Sequence, residues 1–567
     1  MELYSQSHFF MKLVYTFFLL ALLTNCKNET KISLGSLITE DPTKIKHGEK
    51  LFEINCSGCH NFNQEGIGPN LSSLTKKVSA DWIKNFIVDP AEMLDEKDSR
   101  TSALMEKYQV LMPSFKTLDD TELEALLGYM NTFTSRTEEK FDRPLSLKNP
   151  ITENLPFSDI IADFDFVTQV PASSEKTPFA RINKIQCIKS NGRMFINDLT
   201  GILYELEGEK TRPYLSLKAL EKDFTDKPGL GTGFGSFVFH PHFDKNGLLY
   251  TTHAELRASK KADFALPDSL NPKLQWVVKE WKTERPTAKN FSGKGRELLR
   301  IDFESGVHGM QEISFNPIID ETEPDFGMLY IGLGDGGLPL EGFTDFAYHN
   351  GTKIWTSILR IDPLGNNSSN GMYGIPADNP FVNQKGKIKE VWAYGFRNPN
   401  RLTWDPNGNL FSSDIGHSHI EEINLVSPGK FYGWPIREGT FLINPYDNLD
   451  YVYPLPENDT DFNVTYPVLQ YDHSEGAAIS GGFFSAKNEA KENRYLFGDI
   501  PTGQLFLGSI YPSGIIEKLK VSLHKEVTDF KKITKNERVD LRLGQGCNGT
   551  IYVFTKADGK IYRASNF

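Results

Sequence analysis

The spacing of apolar residues changes character several times along the 567-residue chain. A ten-residue run, residues 14–23 (VYTFFLLALL), begins just after Lys12. At 1.5 Å per residue it falls well short of ~30 Å of hydrocarbon, and it has the length of a signal-peptide apolar segment. From residue 40 the apolar positions recur at helical spacing: Gly48 and Phe52 share a helix face, and residues 120–130 (DTELEALLGYM) read as an amphipathic helix opened by acidic residues. Over 136–150 the periodicity gives way to charge and Ser, as in a linker. Beyond 151 the chain consists of short strand-like runs bounded by Gly, Asn, Asp and Pro, which predicts an all-β domain over 151–567.

That second half repeats. A small turn followed by an apolar-aromatic pair ends on Phe195, Tyr250, Tyr330, Phe411, Phe497 and Tyr552, with gaps of 55, 80, 81, 86 and 55 residues. Each gap accommodates one four-stranded blade plus loops, so six copies predict a six-bladed β-propeller. The expected architecture is multidomain: a small all-α domain at 40–135 and a large all-β propeller. Cys187 and Cys547 fall in the first and last blade, which a closed ring makes neighbours. They form either a disulfide locking the ring or two buried thiols.

Composition narrows the function. The chain is 39% hydrophobic and 24% charged, as in folded proteins, and its length calls for more than one core. The net charge of −12 would repel phosphate backbones, which argues against nucleic acid as a partner. The amino-terminal run ends in Thr24-Asn25-Cys26, which resembles a bacterial lipobox, although Asn25 stands where Gly, Ala or Ser is usual. Residues 1–26 are therefore expected to be a signal peptide, 27–39 a tether, and the protein to be exported, either soluble in the periplasm or held to the cell envelope by acylated Cys26. Translation starts at Met1 or at Met11.

Cys56-Ser57-Gly58-Cys59-His60 is the C-x-x-C-H haem attachment pattern, in which two thiols add to the haem vinyls and His60 ligates iron. The segment resembles a class I cytochrome c. The resemblance implies that Gly68-Pro69 supplies a carbonyl to orient His60 and that Met112, in Leu111-Met112-Pro113, is the sixth iron ligand, with Met105 as the competitor.

Several stretches of the propeller, among them Tyr330-Ile331-Gly332-Leu333-Gly334-Asp335-Gly336-Gly337, Gly395-Phe396-Arg397-Asn398-Pro399 and Tyr432-Gly433-Trp434-Pro435, resemble the glucose/sorbosone dehydrogenase family of soluble pyrroloquinoline quinone (PQQ) aldose dehydrogenases. The resemblance implies His308 as the catalytic base, Arg397 and Asn398 as cofactor ligands, and the carbonyls of Gly416 and His417 as calcium ligands. The chain departs from that pattern at Gly231, Ala486 and Gln504, where relatives carry polar or cationic cofactor ligands. His240, His242 and His473 are expected to be structural, and residues 254–296, with Trp276 and Trp281, to form a substrate loop. Two functions follow: a quinoprotein that oxidises a sugar or alcohol and reduces its own haem c, from which a downstream acceptor takes the electrons, or a PQQ-free propeller serving as a binding module beside an electron-carrying cytochrome.

Overall fold

The computed structural model describes residues 38–566 apart from 57–59, 61, 63–67, 109–110, 134–145, 148–149, 230, 268–269, 271, 447, 486–493 and 512–513. The expected signal peptide, Cys26, most of the tether, Cys59 and Ala486 lie outside the described residues. The chain divides into two compact units, Met1–Glu139 and Lys140–Phe567.

The first unit is helical: α1 (Pro42–Asn55), α2 (Leu74–Lys77), α3 (Ala80–Val88), α4 (Pro90–Asp95), α5 (Ser99–Tyr108) and α6 (Asp120–Asn131). Helix α1 starts where Asp41 accepts from the Thr43 N–H at 2.8 Å with Pro42 in the first turn. Helix α6 starts at a reciprocal box: Asp119 accepts from the Glu122 N–H at 2.9 Å, and Glu122 accepts from the Asp119 N–H at 3.0 Å. The two helices cross with Gly48 against the α6 backbone, where an added Cβ would stand 2.0 Å from the Ala125 carbonyl oxygen. Phe52, Ile83, Leu123, Leu126 and Met130 form the buried core around that crossing, each worth about 1.5–3 kcal/mol on burial.

The second unit is the expected six-bladed propeller. The innermost strands of blades one to six are Ile182–Cys187, Phe234–Phe239, Glu312–Phe315, Pro399–Trp404, Ile479–Phe484 and Leu541–Gln545, and they touch in cyclic order, the sixth returning to the first. Every aromatic of the sequence repeat sits on the second strand of its blade. Phe195, Tyr250, Tyr330, Phe411 and Phe497 are buried between sheets, whereas Tyr552 is half-buried. The ring closes by strand exchange: Phe157–Gln169, the first strand of the domain, pairs antiparallel with Lys560–Ala564 as the outer strand of blade six. Radial closure leaves only short, protected strand edges. A disulfide joins Cys187 to Cys547 across the same seam, with Cα atoms 5.4 Å apart.

Residues 254–296 are a correction. Leu274–Thr283 is the third strand of blade two and carries both tryptophans. Trp276 is fully buried and Trp281 is 2% exposed, because their ring areas gain more against neighbouring sheets than at a rim. Blade four carries an insertion, a small sheet of Arg437–Glu438, Phe441–Asn444 and Asn448–Tyr453.

Candidate functional site

In the helical unit Cys56 follows α1, and the His60 N–H donates to the Cys56 carbonyl at 2.9 Å, which sets the imidazole against an apolar crevice. Nδ1 of His60 lies 2.9 Å from the Pro69 carbonyl. Donation there leaves Nε2 as the free lone pair, the arrangement an axial ligand needs. Burial lowers the imidazole pKa, which favours that neutral form. Gly68 permits the approach, since a Cβ would fall 2.3 Å from the ring. Met112 shares both lobes of the crevice with His60, together with Phe86 and Leu104, while Met105 faces one lobe only. An apolar slot with an oriented imidazole and a thioether fits a haem.

On the propeller, loops that lead into the inner strands of blades three and four bring His308, Arg397 and Asn398 together with the turn at Gly416 and His417. His308 adopts φ +50° and is held on two sides. A Cβ on Gly334 would stand 2.2 Å from the His308 carbonyl oxygen, and one on Gly309 would stand 2.0 Å from the Trp276 ring. The buried Trp276 is therefore the floor of the His308 loop. Nδ1 of His308 lies 2.7 Å from Asp335 Oδ1. Asp335, itself fully buried, also accepts from the Trp434 indole at 3.0 Å and the Gly337 N–H at 2.8 Å. Burial and then the Arg397 charge lower the His308 pKa, with Asp335 opposing them. Against the cost of its own burial, the Asp335 carboxyl is held below the carboxylate range by His308 and Arg397. The result is a neutral imidazole whose Nδ1 is committed and whose Nε2 is basic.

Arg397 lies over the Trp434 ring at 5.5 Å and donates to the Ile415 and Gly416 carbonyls at 3.1 and 2.5 Å. Among the described residues its Nε is buried without a hydrogen-bond partner. Asn398 sits beside it, and the Arg397 and Asn398 N–H groups donate to Asp414 at 2.8 and 2.6 Å. Burial pushes the Asp414 carboxyl up to about 7 despite those two bonds. Glu438, from the blade-four insertion, clamps the calcium-candidate turn by accepting from the N–H groups of His417, Ser418, His419 and Ile420 at 2.7, 3.0, 2.9 and 2.9 Å. The Gly416 carbonyl, expected to bind calcium, thus already receives a guanidinium donor. As arranged, Gly416 and His417 do not fit a second cation.

Two of the departures acquire a physical meaning. The space over Gly231 is filled by Gln311 of blade three: a Cβ there would stand 1.8 Å from its Nε2, which donates to the Gly231 carbonyl at 3.0 Å. An amide is present after all, supplied from another blade. The Gln504 amide instead donates to Leu505 and Leu519 at 2.7 and 2.9 Å, turned into its own blade. His242 pairs with Glu321 at 2.6 Å and His473 with Glu421 at 2.9 Å, and the His240 ring is packed against Phe315. Reading the sequence missed the roles of Asp335, Trp434, Trp276, Gln311 and Glu438. Asp335 and Trp434 stand inside stretches singled out by resemblance, whereas Trp276, Gln311 and Glu438 carry no local signal.

Known proteins give the same division. The cytochrome c family model matches residues 45–134. The HIPL2 protein of Arabidopsis thaliana is 31% identical over 328 residues, 49% of this chain and 44% of that protein, and the chain spans about half the length of the first such relatives. The aldose sugar dehydrogenase YliI of Escherichia coli is 25% identical over 383 residues, 65% of this chain and 88% of that protein. A crystal structure of a glucose dehydrogenase superposes with TM-score 0.50 at 20% identity, over 71% of this chain and 99% of that one, and so shares the fold. The glucose/sorbosone dehydrogenase family model matches residues 184–563, which is most of the chain, and the protein belongs to that family, with a cytochrome c domain preceding its propeller.

Proposed function

We propose that the chain is a quinoprotein oxidoreductase that oxidises an aldose sugar or related alcohol with PQQ over the propeller and passes the electrons, one at a time, through its own covalently held haem c to a downstream acceptor. The observation that carries this reading is the Trp434–Asp335–His308 chain of hydrogen bonds, which fixes a neutral imidazole with its outer nitrogen basic. When bound, PQQ supplies a two-electron acceptor for the substrate hydride. His308 Nε2 takes the hydroxyl proton, and Asp335 stabilises the imidazolium that results. Arg397, with its orphaned Nε, and Asn398 hold cofactor oxygens. In the helical unit His60 and Met112 are the iron ligands, and Cys56 and Cys59 the attachment points. Calcium enters this reading only where Arg397 releases the Gly416 carbonyl on cofactor binding. Residues 1–26 export the protein, and acylation of Cys26 anchors it in the envelope.

A second reading, a PQQ-free binding propeller, is favoured by the inward-turned Gln504. The experiment that separates the two starts from haem-loaded, oxidised protein, to which PQQ, calcium and an aldose panel are added while the haem absorbance is followed. Reduction that needs both PQQ and sugar, and is lost in His308→Ala, supports the enzyme. Absence of both reduction and calorimetric PQQ binding rules out the quinoprotein and leaves a haem protein carrying a binding propeller.

A further inference from the structure

The insertion of blade four is a sheet of few residues, and its stability depends on what packs against its apolar face. Its strands Arg437–Glu438, Phe441–Asn444 and Asn448–Tyr453 pair in that order, so Asn448–Tyr453 is an edge with backbone groups open to pairing. Leu147, from the stretch read as a linker, takes one of them. Its N–H donates to the Val452 carbonyl at 2.9 Å and forms an antiparallel bridge. Further along, the Ile151 N–H donates to Asp472 Oδ2 at 3.1 Å and the Leu155 N–H to Glu475 Oε1 at 2.7 Å. The segment that leads into the first propeller strand is thus pinned at Leu147, Ile151 and Leu155, the first of them on the insertion.

The side chains show what that first point does. Trp434, Ile443, Leu449 and Val452 form a buried cluster, and Leu147 packs against it as a half-buried neighbour. Val452, fully buried, pairs with Ile443 on one side and bridges Leu147 on the other. Trp434 is the member of this cluster that reaches the site. Its indole donates to Asp335 Oδ2 at 3.0 Å, Asp335 Oδ1 meets His308 Nδ1 at 2.7 Å, and Arg397 lies over the indole ring at 5.5 Å. A cluster of four buried side chains has little packing in reserve, so removing a neighbour shifts its members.

We infer that Leu147 is a positioning residue: it closes the cluster behind Trp434, and through Trp434 and Asp335 it sets the aim of the His308 imidazole. The hold on Trp434 stands on the packing alone; its effect on turnover rests on the quinoprotein reading above. The test uses the full haem-loaded chain labelled with 5-fluorotryptophan. Among its seven tryptophans, Trp434 is assigned by the fluorine resonance lost in Trp434→Phe. Leu147→Ala removes the packing, Leu147→Pro removes the N–H donor, and Leu147→Ile keeps both. Leu155→Ala loosens the same segment where it packs on a different cluster. Leu147→Ala and Leu147→Pro should shift the Trp434 resonance and lower kcat for sugar-dependent haem reduction about 10-fold, with KM little changed, as for a slightly misaimed base. Leu147→Ile should retain the wild-type resonance and most of the rate. Leu155→Ala should lower the propeller's melting temperature and leave the resonance and kcat alone. An unmoved resonance in both Leu147→Ala and Leu147→Pro, a shifted resonance with kcat intact, or equal effects from Leu155→Ala overturns the inference and leaves Leu147 as a structural staple. If wild type shows no sugar-dependent reduction, the quinoprotein reading falls; the resonance and its rescue by Leu147→Ile then decide by themselves whether Leu147 positions Trp434.

Discussion

The two units build their sites in opposite ways. In the helical unit, Cys56, Cys59 and His60 are contiguous, and one loop carbonyl at Pro69 orients the imidazole. In the propeller, His308, Asp335, Arg397 and Trp434 come from loops spread over more than a hundred residues and meet because blades three and four pack side by side. A locally written site tolerates a loosened scaffold, whereas an assembled one inherits every displacement of its blades. If the two sites are independent, each can be made to fail alone.

The largest effect is expected at the contiguous site. His60→Ala should abolish the low-spin haem spectrum, because no second imidazole lies on that crevice among the described residues. The propeller's calorimetric melting transition should stay within a degree or so of wild type, since the chain divides into two compact units. A propeller transition that moves with the haem would show that the units are energetically coupled. Next comes Asp335→Asn, which preserves volume but donates where the carboxylate accepted, so that His308 is held in the wrong tautomer and the Trp434 indole loses an anionic acceptor. Sugar-dependent haem reduction should fall about 10²–10⁴-fold with PQQ affinity little changed. Equal losses in both would mean that Asp335 shapes the site rather than the base.

The third test addresses closure. Cys187→Ser with Cys547→Ser removes a cross-link between residues 360 apart in sequence, and should cost the propeller about 2–5 kcal/mol against denaturant. The haem spectrum should not respond. Because His308 and Arg397 lie on the adjacent blades three and four and the cross-link joins blades one and six, His308-dependent turnover should fall only as the propeller unfolds; an earlier fall would show that the seam supports the site.

How much could be read in the sequence follows the same division. The haem crevice was legible because Cys56, Cys59 and His60 fall in one five-residue motif with Gly68 and Pro69 close behind, and because Met112-Pro113 precedes an acidic helix start. The six blades were legible because the aromatic of each second strand repeats, and five of the six rings are buried between sheets, where they stabilise their blades. The support of the propeller site was not. Trp276 reads as an exposed loop aromatic until the strand Leu274–Thr283 and the Gly309 approach place it under His308. Gln311 replaces a missing amide at Gly231 across 80 residues of chain, and Glu438 caps a turn about 20 residues away. These pairings lack a periodic or motif signal, so they appear only once the blades have folded and packed against one another.

The smallest effect concerns the proton itself. Burial first, and the Arg397 guanidinium second, disfavour the imidazolium of His308, while Asp335 favours it, and the balance lies below the ordinary value of 6.5. A base with a lowered pKa keeps its lone pair further into acid, so the acid limb of kcat/KM should lie below pH 6.5. At pH 7 more than about three-quarters of the imidazole is then already in the basic form, and raising the pH gains little rate. An uncoupled surface histidine would instead place the limb at 6.5. Arg397→Met, assayed at saturating PQQ, removes a cation from the imidazole and should move the limb upward toward 6.5. Asp335→Asn removes the opposing charge and should move it downward. Shifts in these opposite directions would show that the proton leaves to His308 at a site whose electrostatics come from two separate loops; a limb that stays fixed in both variants would assign it to another group.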